Sequence, residues 1–165
     1  MEFQNLIEKR RSVRKYVERN MVTKDEILSM IKAAQEAPSW KNSQTGRYYC
    51  IMDEKNAGKC ENAVLLVSTF VHNRAGFQKD GTADNEIGNG WGCYDLGLQN
   101  ENLILKAEEL GYGTLIMGIR DADKIREFCS VPETETVVGV IAVGVPGEEP
   151  GRPKRKDTEE IVKFL

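Results

Sequence analysis

The segment AVLLVSTFV at 63–71 limits the possible folds of this chain more than any other stretch, because it carries no charged side chain. A continuous apolar run of this length, rich in β-branched residues, indicates a strand buried inside a sheet. The segment TVVGVIAVGVP at 136–146 is even more typical of a strand. Two such strands predict a sheet at the centre of the core.

Shorter segments complete a pattern of alternating strands and helices. RYYCIM at 47–52 and TLIMGI at 114–119 are predicted strands. A capping box, TKDE at 23–26, starts a helix that ends before Pro38, since proline restricts the residue preceding it. The other predicted helices are one ending near Arg10, a long one through Leu96, Leu103, Ala107 and Leu110 with Gly111 as its C-terminal cap, and one capped by Asp121 that runs to about Phe128.

The alternation allows two arrangements of the sheet. It is consistent with a parallel, doubly wound sheet and with a mainly antiparallel α+β fold, and the pattern alone does not decide between them. The polar, glycine-rich stretch at 73–90 is predicted to be a long surface loop, a kind of loop that is often functional. With 165 residues, the length fits a single domain spanning 1–165.

Composition argues against several classes of protein. The formal net charge is −3 and the basic residues form two local clusters, at 9–15 and 152–156, so a nucleic-acid partner is not expected. No apolar run is long enough for a membrane span or a signal peptide, and a cytoplasmic location is expected. Because the chain has one histidine and no C-x-x-C pair, neither a metal site nor a disulfide framework is expected, and the four cysteines are predicted to be reduced core residues.

An arginine-rich stretch, RRSVR, places Arg10, Arg11, Ser12 and Arg14 within one turn of chain. Guanidinium groups bind phosphate oxygens in bidentate fashion, and a serine hydroxyl adds a neutral donor. The stretch is equally consistent with a solvated basic surface after a helix.

Two further stretches are suited to binding a flat ligand. In APSWKNSQTGR at 37–47, the hydroxyl and amide groups of Ser39, Asn42 and Gln44 can read the polar edge of a planar heterocycle. In ELGYGTLIMGIRD at 109–121, a strand ends at Gly118, where the backbone allows close approach. A polar turn and an ordinary helix-to-strand connection are the alternatives.

The order of these stretches resembles the nitroreductase family of FMN-dependent oxidoreductases over nearly the whole chain. The resemblance implies an α+β fold with a mainly antiparallel central sheet flanked by helices, in place of a parallel sheet. It also implies an intertwined homodimer with FMN at the interface. NADH or NADPH would reduce the flavin in a ping-pong reaction, and a nitroaromatic or quinone-like small molecule would accept the electrons. No catalytic side chain is implied, because the flavin carries the chemistry.

The same resemblance assigns roles to individual residues. The phosphate and pyrimidine side of FMN would be held by the arginine-rich stretch, and a second phosphate element would come from the basic tail. A third group would reach the flavin from the partner subunit, and a strand would lie under the isoalloxazine ring with the Gly118 N–H near flavin N5. The arginine-rich stretch supplies Arg10, Arg11, Ser12 and Arg14, and the basic tail supplies Lys154 and Arg155. The group from the partner subunit is Ser39, Asn42 and Gln44, and the strand under the ring is Leu115, Ile116, Met117 and Gly118.

The chain departs from the family pattern at Trp40, Thr45 and Met117 and in the short loop at 73–90, and these departures bear on substrate choice. Two other functions remain open on the sequence. One is a flavin-binding protein for storage or sensing without reductase turnover. The other is a domain that binds a phosphate ligand without a flavin.

Overall fold

The computed structural model describes residues 2–17, 22–53 and 60–165. Its helices and strands have the bounds that follow. In chain order they are α1 (Phe3–Lys9), α2 (Lys24–Gln35), β1 (Gly46–Ile51), β2 (Val64–Val71), α3 (Gly90–Glu109), β3 (Gly113–Met117), α4 (Ala122–Cys129) and β4 (Glu135–Gly144). Every helix and strand expected from the sequence is present, with bounds that differ by a few residues.

The four strands form one sheet in the order β1-β2-β4-β3, and each neighbouring pair is antiparallel. The α+β expectation is therefore confirmed, and the parallel, doubly wound alternative is wrong. The physical reason lies in β4. Strands β2 and β3 do run parallel to each other across the α3 connection, but β4 enters between them and pairs with both in the opposite direction.

Local signals explain where the helices begin and end. In the capping box of α2, Thr23 Oγ1 accepts a hydrogen bond from the backbone N–H of Glu26, and the Glu26 carboxylate accepts from the backbone N–H of Thr23. The carboxylate of Asp121 caps α4 by accepting from the N–H of Lys124 at 3.1 Å. Gly111 follows α3 with φ +87°, a left-handed conformation in which glycine has no steric cost.

The two faces of the sheet are covered differently. On one face, α2 and α3 bury Leu66 and Ile141 against Met30 and Leu103, and all four side chains have no measurable exposure. On the other face, Leu65, Val67 and Val140 pack with the shorter helix α4. A cavity of about 580 Å³ remains on this second face, lined mainly by apolar side chains.

The segment after α1 runs along the outer side of β3 and the end of β4. Ser12 lies opposite Thr114, and the Val13 N–H donates to the Thr114 carbonyl at 2.9 Å. Further along, the Val17 N–H donates to Val145 O at 3.1 Å, and the Gly147 N–H donates to Lys15 O at 2.8 Å. These bonds hold the arginine-rich stretch against one edge of the sheet.

Other expectations are corrected in detail. Helix α3 begins at Gly90, so it takes the last residue of the predicted surface loop. The tail from residue 151 is exposed, and its only regular element is a single 3₁₀ turn at Thr158–Glu160. All four cysteines are free, but Cys50 on β1 and Cys93 on α3 are exposed, so the prediction that they are core residues is wrong for these two. Each helix in the described part of the chain is too short or too polar to cross a bilayer.

Candidate functional site

The arginines of the RRSVR stretch have different surroundings. Arg11 turns back to α1, where its Nη1 donates to Glu8 O at 2.6 Å and to Arg10 O at 2.7 Å. Arg14 Nη1 donates to Ser12 O at 3.0 Å, and the Arg14 N–H donates to the Glu148 carboxylate at 2.7 Å. Within the described residues, the Arg10 side chain has no hydrogen bond or ion pair. Arg10 is therefore the member of the cluster most available to an anion.

The predicted flavin strand lies directly beside this stretch. Leu115 and Met117 point to the α4 side of the sheet, whereas Ile116 lies on the opposite face at the open edge and is 48% exposed. Because the Thr114 carbonyl accepts from Val13 outside the sheet, alternation along β3 directs the N–H groups of Ile116 and Gly118 to the same outer side. The edge of β3 beyond Thr114 thus offers backbone donors next to the arginines.

The space at this edge fits a planar cofactor with a phosphate. A Cβ built on Gly118 would meet no atom within 4 Å, so the backbone there borders open space. Ser12 lies at the other end of the same edge, opposite Thr114, and Arg10 precedes it by two residues. A cation, a hydroxyl and outward N–H groups along one open strand match the phosphate and ring of FMN, so the residues present fit this group.

The basic tail passes near the end of α1. Arg152 forms an ion pair with Glu8 at 3.9 Å, and Lys154 and Arg155 follow it by two and three residues. Both side chains are exposed. The structure thus brings the arginine-rich stretch and β3 together, with the start of the basic tail at the end of α1.

Ser39, Asn42 and Gln44 belong to a tight turn between α2 and β1. Ser39 precedes a 3₁₀ turn at Trp40–Asn42, and its Oγ accepts from the Gln44 N–H at 3.1 Å. Three residues with side chains, Lys41, Asn42 and Gln44, have φ between +46° and +54°. Left-handed conformations at residues other than glycine cost energy, so the surrounding structure must hold this turn in place.

Two carboxylates hold the turn. Asp95 on α3 is 3% exposed and accepts from the Trp40 backbone N–H at 2.8 Å. Asp84 accepts from the Trp40 indole N–H at 3.1 Å and forms an ion pair with Lys41 at 3.0 Å. Burial raises the pKa of Asp95, and the hydrogen bond from Trp40 opposes part of that rise.

The turn also begins a cluster of aromatic rings. The ring centroids of Trp40 and Trp91 are 4.4 Å apart, and Tyr94 meets Trp91 edge-on at 5.7 Å. A cavity of about 210 Å³ opens between these rings and Pro38, Ser39 and Leu98. The sequence singled out Trp40 only as a departure from the family pattern, and it did not single out Asp84, Trp91, Tyr94 or Asp95. The available signal was the tryptophan in GNGWG at 88–92, at the end of the polar stretch.

The two groups of predicted residues lie at opposite edges of the sheet. The turn with Ser39 leads into β1, whereas the arginine-rich stretch lies against β3. Three strand spacings separate these edges, a distance of about 14 Å. The described chain therefore does not bring Ser39, Asn42 and Gln44 together with Arg10 and Gly118.

Comparison with known proteins identifies the family of this chain. The sequence profile described as the nitroreductase family matches residues 7–67 and 52–145. A putative NADH dehydrogenase/NAD(P)H nitroreductase of Archaeoglobus fulgidus is 28% identical over 87% of this chain and 85% of its own length. An NADPH-dependent oxidoreductase of Staphylococcus aureus is 27% identical, and the match spans 88% of this chain and 65% of that relative.

Solved structures share the fold. A nitroreductase family protein from Streptococcus pneumoniae TIGR4 superposes with a TM-score of 0.85 over 99% of this chain and 100% of its own, at 18% identity. A BluB-like flavoprotein from Clostridium difficile 630 has a TM-score of 0.81 at 26% identity, covering 100% of this chain and 99% of its own. The chain belongs to the nitroreductase family, and this membership supports an oxidoreductase role.

Proposed function

We propose that this protein is an FMN-dependent oxidoreductase, a single domain over 1–165, that transfers electrons from NADH or NADPH to a nitroaromatic or quinone-like acceptor. The observation that carries the proposal is the open edge of β3 at Gly118, with the arginine-rich stretch held against the same strand at Thr114, where Arg10 has no polar partner among the described residues. The family of the chain and the flavoprotein among its structural neighbours support the choice of a flavin.

In this proposal the protein's own residues bind and orient the cofactor. Arg10 and the Ser12 hydroxyl hold the phosphate, with Lys154 and Arg155 from the tail as further cations. Arg14 adds positive charge on the pyrimidine side, while Arg11 shapes the stretch by closing the end of α1. The Gly118 N–H would donate to flavin N5, and the strand of Leu115, Ile116 and Met117 would lie beside the ring. The bound flavin supplies the chemistry: it takes a hydride from NADH or NADPH and passes two electrons to the acceptor.

We further propose a homodimer, because the turn that carries Ser39, Asn42 and Gln44 lies at the edge of the sheet opposite Gly118. In a homodimer that turn meets the partner's flavin and completes the site. The protein should sediment as a dimer at micromolar concentration. A monomer that still retains FMN tightly would contradict this arrangement.

The test of the proposed function is an anaerobic titration of the purified protein. We expect a yellow protein with about one non-covalent FMN per chain, and NADH or NADPH should bleach the flavin absorbance. Adding an acceptor such as a quinone should restore the absorbance. A protein without flavin, and without uptake of added FMN, would point to a phosphate ligand of another kind. Bound flavin that no nicotinamide reduces would point to storage or sensing.

A further inference from the structure

We propose that Trp40, Trp91 and Tyr94 form a stacking platform for the planar, uncharged electron acceptor, and that Trp40 thereby determines which acceptors are used. The inference rests on the proposed flavin chemistry and adds to it the place and the selectivity of the second substrate. The motivation is an aromatic cluster on the surface beside the turn assigned to the flavin of the partner subunit.

The rings offer their faces rather than their polar groups. The Trp40 indole N–H donates to Asp84 at 3.1 Å, and the Trp91 indole N–H donates to Asn85 at 2.9 Å. Both donors are therefore already used inside the protein. A ligand at this cluster meets ring faces, and electron-poor rings such as quinones and nitroaromatics stack well on an electron-rich indole.

The charges around the platform favour a ligand without negative charge. Asp84 bonds to the indole N–H at the edge of the Trp40 ring, and Asp95 bonds to the Trp40 backbone. Lys41, whose Nζ is 5.7 Å from the Trp40 ring centroid, is paired with Asp84. The local positive charge is thus compensated. An anion would meet two carboxylates and one neutralised lysine, whereas an uncharged quinone avoids that repulsion.

The size of the cavity indicates that the platform is one wall of a site. Its volume of about 210 Å³ is below the range of about 300–1,000 Å³ that is usual for a complete small-molecule site. Tyr94 is 60% exposed at its rim. Because Trp40 sits in the same turn as Ser39 and Asn42, the partner that receives those residues would provide the opposite wall.

The platform is also rigid, which suits the positioning of a reacting ring. The strained turn is held by Asp95 and Asp84, and Gly92 on α3 packs so closely against Phe70 that a side chain would not fit there. Helix α3 thereby holds Trp91 and Tyr94 close to the turn.

In the net reaction, NADH or NADPH loses a hydride, and a quinone gains that hydride and one proton from solvent to become a hydroquinone.

The experiment compares two acceptors on the loaded enzyme. 1,4-Naphthoquinone is planar and can stack, whereas ferricyanide is octahedral and anionic and accepts single electrons without stacking. The variants Trp40→Leu and Tyr94→Leu each remove an aromatic ring, whereas Trp40→Phe retains one. The control is Phe128→Leu, which removes an exposed aromatic ring from α4 on the other face of the sheet. FMN content and the rate of bleaching by the nicotinamide are measured first for every variant.

We expect Trp40→Leu to lower kcat/KM for naphthoquinone by roughly tenfold, mainly through KM, with a smaller loss in Tyr94→Leu and recovery in Trp40→Phe. Ferricyanide reduction, flavin content and bleaching should change by less than about twofold in Tyr94→Leu, which removes only an exposed ring. The platform would be refuted if Trp40→Leu lost the same activity with naphthoquinone and with ferricyanide, or if its bleaching slowed by the same factor. It would also be refuted if Trp40→Leu lost no activity with naphthoquinone. A wild-type protein without flavin or bleaching would instead refute the proposed function.

Discussion

The arginine-rich stretch beside β3 and the Ser39–Gln44 turn before β1 are both expected to bind the same cofactor, yet they are built in opposite ways. In the arginine-rich stretch, Arg10 has no polar partner within the described residues, and the guanidinium groups of Arg11 and Arg14 bond only to nearby backbone carbonyls. In the turn, the backbone and indole N–H groups of Trp40 are both bonded to carboxylates from distant parts of the chain.

The two regions would contribute to ligand binding in different ways. Arg10 can bind an anion strongly because no other described residue uses its hydrogen-bond donors, so a ligand can take them. In the turn, both N–H groups of Trp40 are already bonded, and the contribution of the turn is shape: three left-handed residues present amides and an indole in one fixed arrangement. Substitutions should therefore affect ligand affinity in the first region and folding stability in the second.

The largest expected effect is at Arg10. Arg10→Ala should weaken FMN binding by roughly tenfold to a hundredfold, since a hydrogen bond to a charged group contributes about 1.5–3 kcal/mol. Riboflavin, which lacks the phosphate, should lose much less. Both ligands are titrated against wild type and variant by fluorescence, with Lys15→Ala as the control for a change of one positive charge.

The outcomes at Arg10 are distinct. An equal loss for FMN and riboflavin would show that Arg10 does not read the phosphate. If neither ligand is affected, the cluster is a solvated basic surface, and the contrast between the two regions disappears.

The next largest effect should come from the turn. Asp95→Ala removes the acceptor of a largely buried hydrogen bond and leaves the Trp40 N–H without its partner, so the free energy of unfolding should fall by about 2 kcal/mol. Urea denaturation followed by tryptophan fluorescence measures this change. Asp25→Ala, at an exposed position of α2, is the matched control. If both variants lose the same stability, Asp95 does not support the turn.

A smaller effect is expected at Arg11, which sequence alone would group with Arg10. Its guanidinium bonds to the carbonyls of Glu8 and Arg10, so Arg11→Ala should cost about 1 kcal/mol of stability. FMN affinity should fall clearly less than in Arg10→Ala. Denaturation and flavin titration of Arg10→Ala and Arg11→Ala test the contrast. If Arg11→Ala lowered FMN affinity as much as Arg10→Ala does, ligand binding would have to release Arg11 from α1.

The smallest expected effect is a change in pH dependence at Asp95. Burial raises its pKa above the ordinary value of 3.8, so the folded state holds the proton more tightly than the unfolded state. As the pH rises from 3.8 through the folded pKa, the unfolded state is favoured, and stability from this group falls. Asp95→Asn lacks this titration. The unfolding free energy of wild type relative to Asp95→Asn should therefore decrease with rising pH; a difference that increases would contradict the raised pKa.

Local features of the fold were predictable from sequence, and long-range pairing was not. The capping box at Thr23 and the cap at Asp121 act within three residues, so both helix starts were found. The insertion of β4 between β2 and β3 depends on contacts about 70 residues apart, and the alternating pattern fits a parallel sheet equally well. Only the family resemblance gave the antiparallel arrangement.

The same division applies to the candidate site. A run of arginines can be read as an anion site because its chemistry lies in consecutive residues, although the sequence did not show that Arg11 bonds to its own helix. The supports of the turn were invisible, because Asp95 lies 55 residues from Trp40 and Asp84 lies 43 residues from Lys41. Nothing in the local sequence of α3 marks Asp95 as the residue that holds another segment in place.

The central pairing of β2 with β4 has a consequence for how the chain folds during synthesis. Strand β2 is almost entirely buried, but its inner partner is not made until residue 144 has been added. Until then, VLLVSTFV has only β1 to pair with, and an apolar strand with one open side invites association with other chains. Such non-local pairing also slows folding, because a long loop must close before the contacts form. The nascent chain is therefore most exposed to aggregation, and most dependent on chaperones, between the completion of β2 and the arrival of β4.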